Sequence, residues 1–246
     1  MSDEQTYDVI VVGAGHAGCE AALAAARMGR RTLLITMSID RIAAMSCNPA
    51  IGGVGKGHMV RELDALGGSM GRVADATGIQ FRRLNTGKGP AVRARRCQSD
   101  KARYADTMRQ LVEETDGLHV KQGMVDDLVV DDGIVRGIRT KLGMKFGAKA
   151  VILTTGTFLQ GIMHIGEQKR EGGRAGDSAS VGLASALGQL GLQLGRLKTG
   201  TVPRLDCRTL DLRQLEEQPG DAPPKGFSFY GPGPVLPQRV CWITQT

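Results

Sequence analysis

The sequence feature that most constrains the fold is a glycine turn between a mostly apolar segment and an alanine-rich one. Gly13, Gly15 and Gly18 follow residues 7–12 in the spacing Gly-x-Gly-x-x-Gly. In such a turn the first glycine forms the bend, the second leaves room for a pyrophosphate, and the third lets a helix pack on the strand. A helix over residues 17–27 and a strand over residues 32–36 would complete a βαβ unit. This pattern predicts a dinucleotide site with phosphates at the helix N-terminus. The alternative is a glycine turn that serves packing alone.

The end of the second predicted strand leaves the identity of the dinucleotide open. A carboxylate usually holds the ribose at this point, but the sequence has Thr36, Met37 and Ser38, and the nearest acid is Asp40. A hydroxyl of Thr36 or Ser38 would bind a ribose less strongly than a carboxylate would. No arginine follows the strand, so a 2′-phosphate is not favoured.

Composition indicates a globular chain without a membrane segment. The 246 residues suffice for one large or two modest domains, and 41% of them are hydrophobic. No apolar run reaches the roughly 18 to 20 residues that span a bilayer, and the polar first five residues do not resemble a signal peptide. The five cysteines form no Cys-x-x-Cys pair and the four histidines show no ligand spacing, so we expect no disulfides and no metal site. A reducing cytoplasm fits this cysteine usage.

Positive charge is concentrated in one segment. The net charge is +7, and residues 82–109 contain nine basic side chains against two acidic ones. This segment is either a solvated face that includes cofactor-binding arginines, or a surface for a polyanion such as RNA. Because Arg82 and Arg83 follow an apolar, strand-like run, we expect them to be partly internal. The predicted exposed, RNA-binding set is Arg93, Arg95, Arg96 and Lys101.

A second glycine-rich segment, residues 45–58, precedes a helix that we predict over residues 59–66. Ala50 and Gly57 stand where a phosphate-binding P-loop needs Gly and Ser or Thr, so an ATPase or GTPase loop is excluded. The segment contains one thiol, Cys47. Either Cys47 has a chemical role, or it is a small buried apolar residue, as free cysteines often are.

The elements that follow favour FAD over NAD. We predict a helix over residues 101–115, strands over 118–122, 124–130, 134–140 and 145–148, a parallel strand over 150–154 and a helix over 182–191. A three-stranded meander inserted before a parallel strand is typical of flavin-binding Rossmann proteins of the glutathione-reductase type. The predicted FAD-binding domain is 1–203. Six prolines between residues 219 and 237 indicate a second element from residue 204, and an uncovered strand over 241–244 suggests a fragment.

Four segments of the sequence are distinctive: GAGHAGCEAA at 13–22, SCNPAIGGVGKGH at 46–58, DALGG at 64–68 and GRLKTGT at 195–201. Together they closely resemble the glucose-inhibited division protein A family, the flavin-dependent tRNA uridine 5-carboxymethylaminomethyl modification enzymes. The resemblance extends over almost the whole chain, and a threonine at the end of the second strand is a family feature. Because the family is longer, the chain resembles its N-terminal portion and is expected to be inactive alone.

The resemblance implies a Rossmann-type α/β fold, with residues 204–246 starting a truncated, NADH-related α+β insertion domain. It also implies modification of C5 of the tRNA wobble uridine with FAD, NADH, methylenetetrahydrofolate, and glycine or ammonium. The implied partner is a folate-binding GTPase, in a heterotetramer built on a cytoplasmic homodimer without membrane attachment.

The resemblance also assigns site residues. Cys47 matches the family's functional cysteine, a candidate nucleophile for C6 of the pyrimidine. Two other functions remain open: a flavin-containing RNA-binding module without chemistry, and the related folate-dependent tRNA uracil methyltransferase, which residues 47–53 disfavour. The implied cofactor-binding residues are Gly13, Ala14, Gly15, His16, Ala17 and Gly18 at the pyrophosphate, Thr36 at the ribose, Val125 at the adenine and Ser180 near the flavin.

Overall fold

The computed structural model describes residues 6–203 and 205–243. The N-terminal segment that we tested as a signal peptide, Arg204 at the start of the predicted second domain, and the last residue of the strand predicted over 241–244 lie outside the described residues. The chain forms two compact units and passes from one to the other after residues 44, 107 and 198. The first unit contains residues up to 44 and 108–198, and the second contains 45–107 and the residues from 199 onward. The predicted domain boundary at residue 203 stays a prediction.

The first unit is built on a six-stranded sheet with the order β6-β2-β1-β9-β8-β7. Strands β1, β2, β6 and β9 are parallel, and β7 and β8 add to β9 as an antiparallel meander. A separate hairpin of β10 and β11 was not predicted. The elements are β1 (Thr6–Val12), α1 (His16–Arg27), β2 (Thr32–Thr36), β6 (Leu118–Gln122), β7 (Val125–Asp131), β8 (Ile134–Thr140), β9 (Lys145–Leu153), β10 (Ile162–Ile165), β11 (Gln168–Glu171) and α5 (Val181–Gln189).

The core of this unit follows from the alternation of apolar side chains along the strands. Ile10 of β1 and Leu33 of β2 belong to one buried cluster with Leu183 and Leu187 of α5. Successive strand residues point to opposite faces, and Val11 is also fully buried, so side chains on both faces of β1 are covered. This burial on both faces explains the continuous apolar runs of the parallel strands.

One predicted break in the sheet is wrong. We expected separate strands over 145–148 and 150–154, but β9 is continuous. Its first residues pair with β8 and the remainder pairs with β1. Lys149, the charged residue at the expected break, points into solvent, and its Nζ donates to Asp8 Oδ1 at 2.7 Å. The meander and the central parallel strand therefore share one element.

The second unit is organised around a three-stranded antiparallel sheet with the order β3-β5-β4. Helix α2 begins three residues before its predicted start, and β3 lies within the segment expected to be a loop. Helix α3 and strands β4 and β5 were not predicted. The strand predicted after residue 240 is present and pairs with β12. The elements are β3 (Ala50–Gly52), α2 (Lys56–Ala65), α3 (Met70–Thr77), β4 (Gly78–Leu84), β5 (Ala94–Ser99), β12 (Glu216–Gln218) and β13 (Cys241–Ile243), and α4 (Lys101–Glu113) contains the boundary between the units.

The proline-rich segment of the second unit covers the free edge of β4. Backbone N–H groups of Asp221 and Arg239 donate to carbonyls of β4 at 2.8 and 2.6 Å. In return, Asp221 Oδ2 accepts the N–H of Arg83 at 2.8 Å. An uncovered edge strand would present unpaired N–H and C=O groups, so this segment completes the hydrogen bonding of β4. In the part of the chain that the structure describes, no helix has the length and apolar character needed to cross a membrane.

Candidate functional site

The glycine turn lies at the carboxyl end of β1, where β1 separates β2 from β9. Gly13 has φ of +100°, and a Cβ at this position would lie 2.6 Å from the carbonyl oxygen of Thr154. A Cβ on Gly18 would overlap the carbonyl oxygen of Gly13. Thr154 Oγ1 donates to the carbonyls of Val12 and Gly13 at 2.9 Å each. Gly13 and Gly18 are therefore required by the fold itself.

Gly15 differs from the other two glycines because none of the described residues excludes a Cβ there. Its φ of −73° is ordinary, and a Cβ would meet no atom within 4 Å. Gly15 precedes α1, whose N-terminus has no side-chain cap and no acid in its first turn. The N–H groups of a helix start attract anions. The opening above Gly15 therefore fits the pyrophosphate of a dinucleotide.

The sheet brings the other predicted cofactor residues to the same edge. Gly13 N–H donates to the carbonyl of Ile35 at 2.8 Å, and Gly123 N–H donates to the carbonyl of Thr36 at 2.8 Å. Two residues later, the carbonyl of Val125 accepts the hydroxyl of Ser180 at 3.4 Å. Gly13 therefore bonds to the residue before Thr36, Thr36 bonds to a residue two positions before Val125, and Val125 bonds to Ser180.

The side chains within the glycine turn leave its surface apolar and neutral. Ala14 is buried, and its carbonyl accepts the N–H of Ala43 at 2.8 Å. Burial lowers the pKa of His16, so the imidazole is neutral at pH 7. Gly15 and Ala17 are exposed, and His16 between them is half-buried. A bound pyrophosphate would consequently meet backbone N–H groups here rather than a cationic side chain.

Cys47 lies in the second unit and differs from the two buried cysteines. Its thiol is partly exposed and donates to the carbonyl of Gly200 at 3.3 Å. Gly200 belongs to the GRLKTGT segment, so the contact joins two of the segments used for the family resemblance. In contrast, burial raises the pKa of both Cys19 and Cys97 to about 12. Those two thiols are unsuited to act as nucleophiles at neutral pH.

Four of the basic residues between 82 and 109 lie on the adjacent strands β4 and β5. In the pairing of β4 with β5, Arg82 lies opposite Arg96 and Arg83 lies opposite Arg95. Like charges directly opposite each other destabilise a sheet, so this arrangement favours an external anion or an internal acceptor. Asp221 Oδ2 accepts the backbone N–H of Arg83.

The exposed set predicted from the sequence needs correction. Lys101 is exposed, whereas Arg93, Arg95 and Arg96 are half-buried. The guanidinium of Arg95 donates to the carbonyl of Gly226, and burial lowers its pKa. Arg93 Nε donates to the carbonyl of Lys88 at 3.0 Å. The expectation that Arg93, Arg95 and Arg96 are exposed is therefore wrong, while the role of the set in RNA binding stays a prediction.

Four side chains form hydrogen bonds to the backbone of residues 226–229, an arrangement that was not predicted from the sequence. They are Arg61, Asp64, Asp75 and Arg95. We term these side chains together with residues 226–230 the 226–230 clasp. Two buried carboxylates accept backbone N–H groups: Asp75 from Phe227 and Ser228 at 2.6 and 2.9 Å, and Asp64 from Phe229 at 2.7 Å. Burial raises the pKa of Asp75, and the two N–H donors oppose that shift. The sequence signal that could have indicated this cluster was an aspartate on the buried face of each helix, Asp64 in α2 and Asp75 in α3. The clasp also contains Arg61, which donates to the carbonyl of Phe227 at 2.7 Å, and Arg95.

The sequence profile of a family described as glucose inhibited division protein A matches residues 8–246. The chain belongs to this family. The resemblance inferred from the four segments and the predicted α/β Rossmann-type fold are therefore confirmed.

Individual relatives give the extent of the similarity. The tRNA uridine 5-carboxymethylaminomethyl modification enzyme MnmG of Pelobacter propionicus is 60% identical over 246 residues, which are all of this chain and 39% of that protein. The protein of the same name in Geobacter sulfurreducens is 60% identical over 243 residues and is likewise 39% covered. The chain thus spans about two fifths of the length of these relatives.

Solved structures give the same family. GidA from Aquifex aeolicus, in its form II crystal, matches 98% of this chain with a TM-score of 0.93 and 48% identity, over 41% of that chain. The GidA-related protein from Thermus thermophilus matches 76% of this chain and 69% of its own with a TM-score of 0.57 at 24% identity, which supports the fold alone.

Proposed function

We propose that the full-length protein modifies C5 of the wobble uridine of certain tRNAs, adding a carboxymethylaminomethyl group with FAD as cofactor. The observation that carries this proposal is the opening above Gly15 in a chain of this family. Protein contacts account for Gly13 and Gly18, whereas a bound pyrophosphate would account for the absent side chain at Gly15. Relatives that are 60% identical carry the modification in their names.

The residues at the carboxyl edge of the sheet would hold the cofactor. The turn from Gly13 to Gly18 would bind the pyrophosphate with backbone N–H groups, and the Thr36 hydroxyl would bind a ribose. Val125 would meet the adenine through its backbone, with Ser180 near the flavin. FAD, when bound, supplies the oxidation–reduction chemistry of the reaction.

Cys47 would activate the base. Its thiolate would add to C6 of the uracil ring; the new S–C6 bond moves the electron pair of the C5–C6 double bond towards C5 and O4. C5 then becomes nucleophilic enough to receive a one-carbon unit. The carbonyl of Gly200, 3.3 Å from Sγ, would orient the thiol, whose proton would pass to solvent water as the thiolate forms.

The remaining components of the proposal come from the family. We propose NADH as the reductant of the flavin, methylenetetrahydrofolate as the one-carbon donor, and glycine or ammonium as the nitrogen source. A folate-binding GTPase would be the partner of a homodimer, and the complex would act in the cytoplasm. Arg93, Arg96 and Lys101 would contact the tRNA backbone, and residues 204–246 would begin the NADH-related domain.

An experiment on the purified full-length protein separates this enzyme from a flavin-containing RNA-binding module. We expect the protein to be yellow with oxidised FAD, and the yellow absorbance to bleach when NADH is added without oxygen. The control is the same protein with buffer in place of NADH. A protein that retains FAD but is not reduced by NADH would contradict the proposed use of NADH, and a protein without FAD would contradict the proposed function.

A further inference from the structure

The 226–230 clasp presents two exposed aromatic rings. Asp64 is 0% exposed and Asp75 is 2% exposed, and both carboxylates are committed to backbone N–H groups of this short segment. Burying a charged carboxylate is unfavourable unless hydrogen bonds compensate for lost water. The segment that these acids hold ends in Phe229 and Tyr230, which are 56% and 67% exposed.

The two rings are fixed in orientation although they are exposed. Their centroids lie 6.4 Å apart at an angle of 65°. The guanidinium of Arg61 lies 3.9 Å from the centroid of the Phe229 ring, and the Tyr230 hydroxyl donates to the carbonyl of Ala65 at 3.3 Å. A pair of rings held in this way loses little conformational entropy when a flat ligand stacks on it.

The charge of the second unit favours an anionic partner. Residues 45–107 and 199–246 contain sixteen basic and ten acidic side chains, so this unit has six of the seven surplus positive charges. Arg61 adds a cation at the Phe229 ring itself. Fixed aromatic rings with basic side chains are the combination that binds unpaired bases of nucleic acids: the rings stack on the bases, and the cations contact the phosphates.

We propose that Phe229 and Tyr230 form a platform on which an unpaired base of the RNA substrate stacks. This inference rests on the proposed tRNA function and adds a surface that contacts a base, whereas the basic residues contact the phosphate backbone. The clasp acts as a positioning device, because its carboxylates hold the backbone of residues 227–229 while the rings remain accessible.

The test measures binding of an unmodified tRNA transcript by the full-length protein. Phe229→Ala should raise the Kd about fivefold or more, since loss of one base–aromatic stack has an effect of this size. The variant should fold, because Asp64 is bonded to the backbone N–H of residue 229 and not to its ring. The dependence of log Kd on log salt should not change, because no charge is removed. Phe229→Trp keeps a stacking surface and should bind like the wild type.

Leu66→Ala is the matched control, since Leu66 is 87% exposed and follows Ala65, whose carbonyl accepts the Tyr230 hydroxyl. This control should leave the Kd unchanged. An equal loss in Leu66→Ala and Phe229→Ala would indicate a general apolar contact and overturn the platform. A lower melting temperature of Phe229→Ala with unchanged Kd would show that another part of the chain covers the ring, which also overturns it. Failure of the wild type to bind the transcript would contradict the proposed function itself.

Discussion

At the scale of single residues, the three positions of the glycine turn are occupied by glycine for different physical reasons. Gly13 needs its positive φ, and a Cβ on either Gly13 or Gly18 would clash with backbone atoms and with Thr154. Of these three glycines, Gly15 is the one whose Cβ would meet no atom of the described residues. The sequence spacing identifies all three positions, but only the structure separates the glycine that the fold requires from the glycine that a ligand would require.

This difference leads to a prediction for Gly15→Val. The backbone angles at Gly15 are extended and allow valine, so the apoprotein should keep its melting temperature. Valine would occupy the space of the pyrophosphate, and FAD affinity of the full-length protein should fall about tenfold or more. Flavin content after gel filtration measures the effect. Gly87→Val is the control, because a Cβ at Gly87 also meets no atom within 4 Å. Equal flavin content in wild type and Gly15→Val would place the pyrophosphate elsewhere.

At the scale of elements, local pattern predicted most of the first unit and little of the second. Strands β2, β6 and β8 have the predicted limits, because each is a compact apolar or alternating run between turn residues. Strands β4 and β5 contain adjacent arginines, which have no pattern of buried and exposed positions. Their sheet depends on pairing partners elsewhere in the chain, including a covering segment more than 130 residues away.

At the candidate site, too, local sequence pattern predicts only the features that form within one segment. The glycine turn is local, so the sequence predicts it, whereas the proximity of Thr36, Val125 and Ser180 depends on hydrogen bonds between distant segments. The acids of the clasp could not be interpreted from the sequence, because their partners are about 150 residues away.

The basic strands give a prediction about RNA. In the full-length protein, combined replacement of Arg93, Arg96 and Lys101 by Ala should weaken binding of all tRNAs. Each lost phosphate contact should flatten the plot of log affinity against log salt by about 0.7 to 0.9 units, and the flavin spectrum should not change. Arg95→Ala is the contrasting variant: since Arg95 bonds to Gly226, it should destabilise the clasp with a smaller effect on the salt slope. An unchanged slope in the triple variant would exclude this segment from RNA binding.

At the scale of the whole molecule, the chain contains the sheet edge proposed to bind the cofactor, the cysteine segment and most of the surplus positive charge. The chain spans only 39% of the length of these two relatives. Activity therefore has to be measured with the full-length protein. The central claim is that this fold serves modification of tRNA uridine through FAD and Cys47.

Analysis of modified nucleosides in tRNA tests that claim most directly. Cells without the full-length gene should lack the carboxymethylaminomethyl group at C5 of uridine, and the wild-type gene should restore it. Cys47→Ser should restore it by orders of magnitude less while the purified variant keeps FAD, because a serine hydroxyl is a much poorer nucleophile than a thiolate. Cys207→Ser, at an exposed cysteine, should restore it fully. Unchanged nucleosides in cells without the gene would contradict the account.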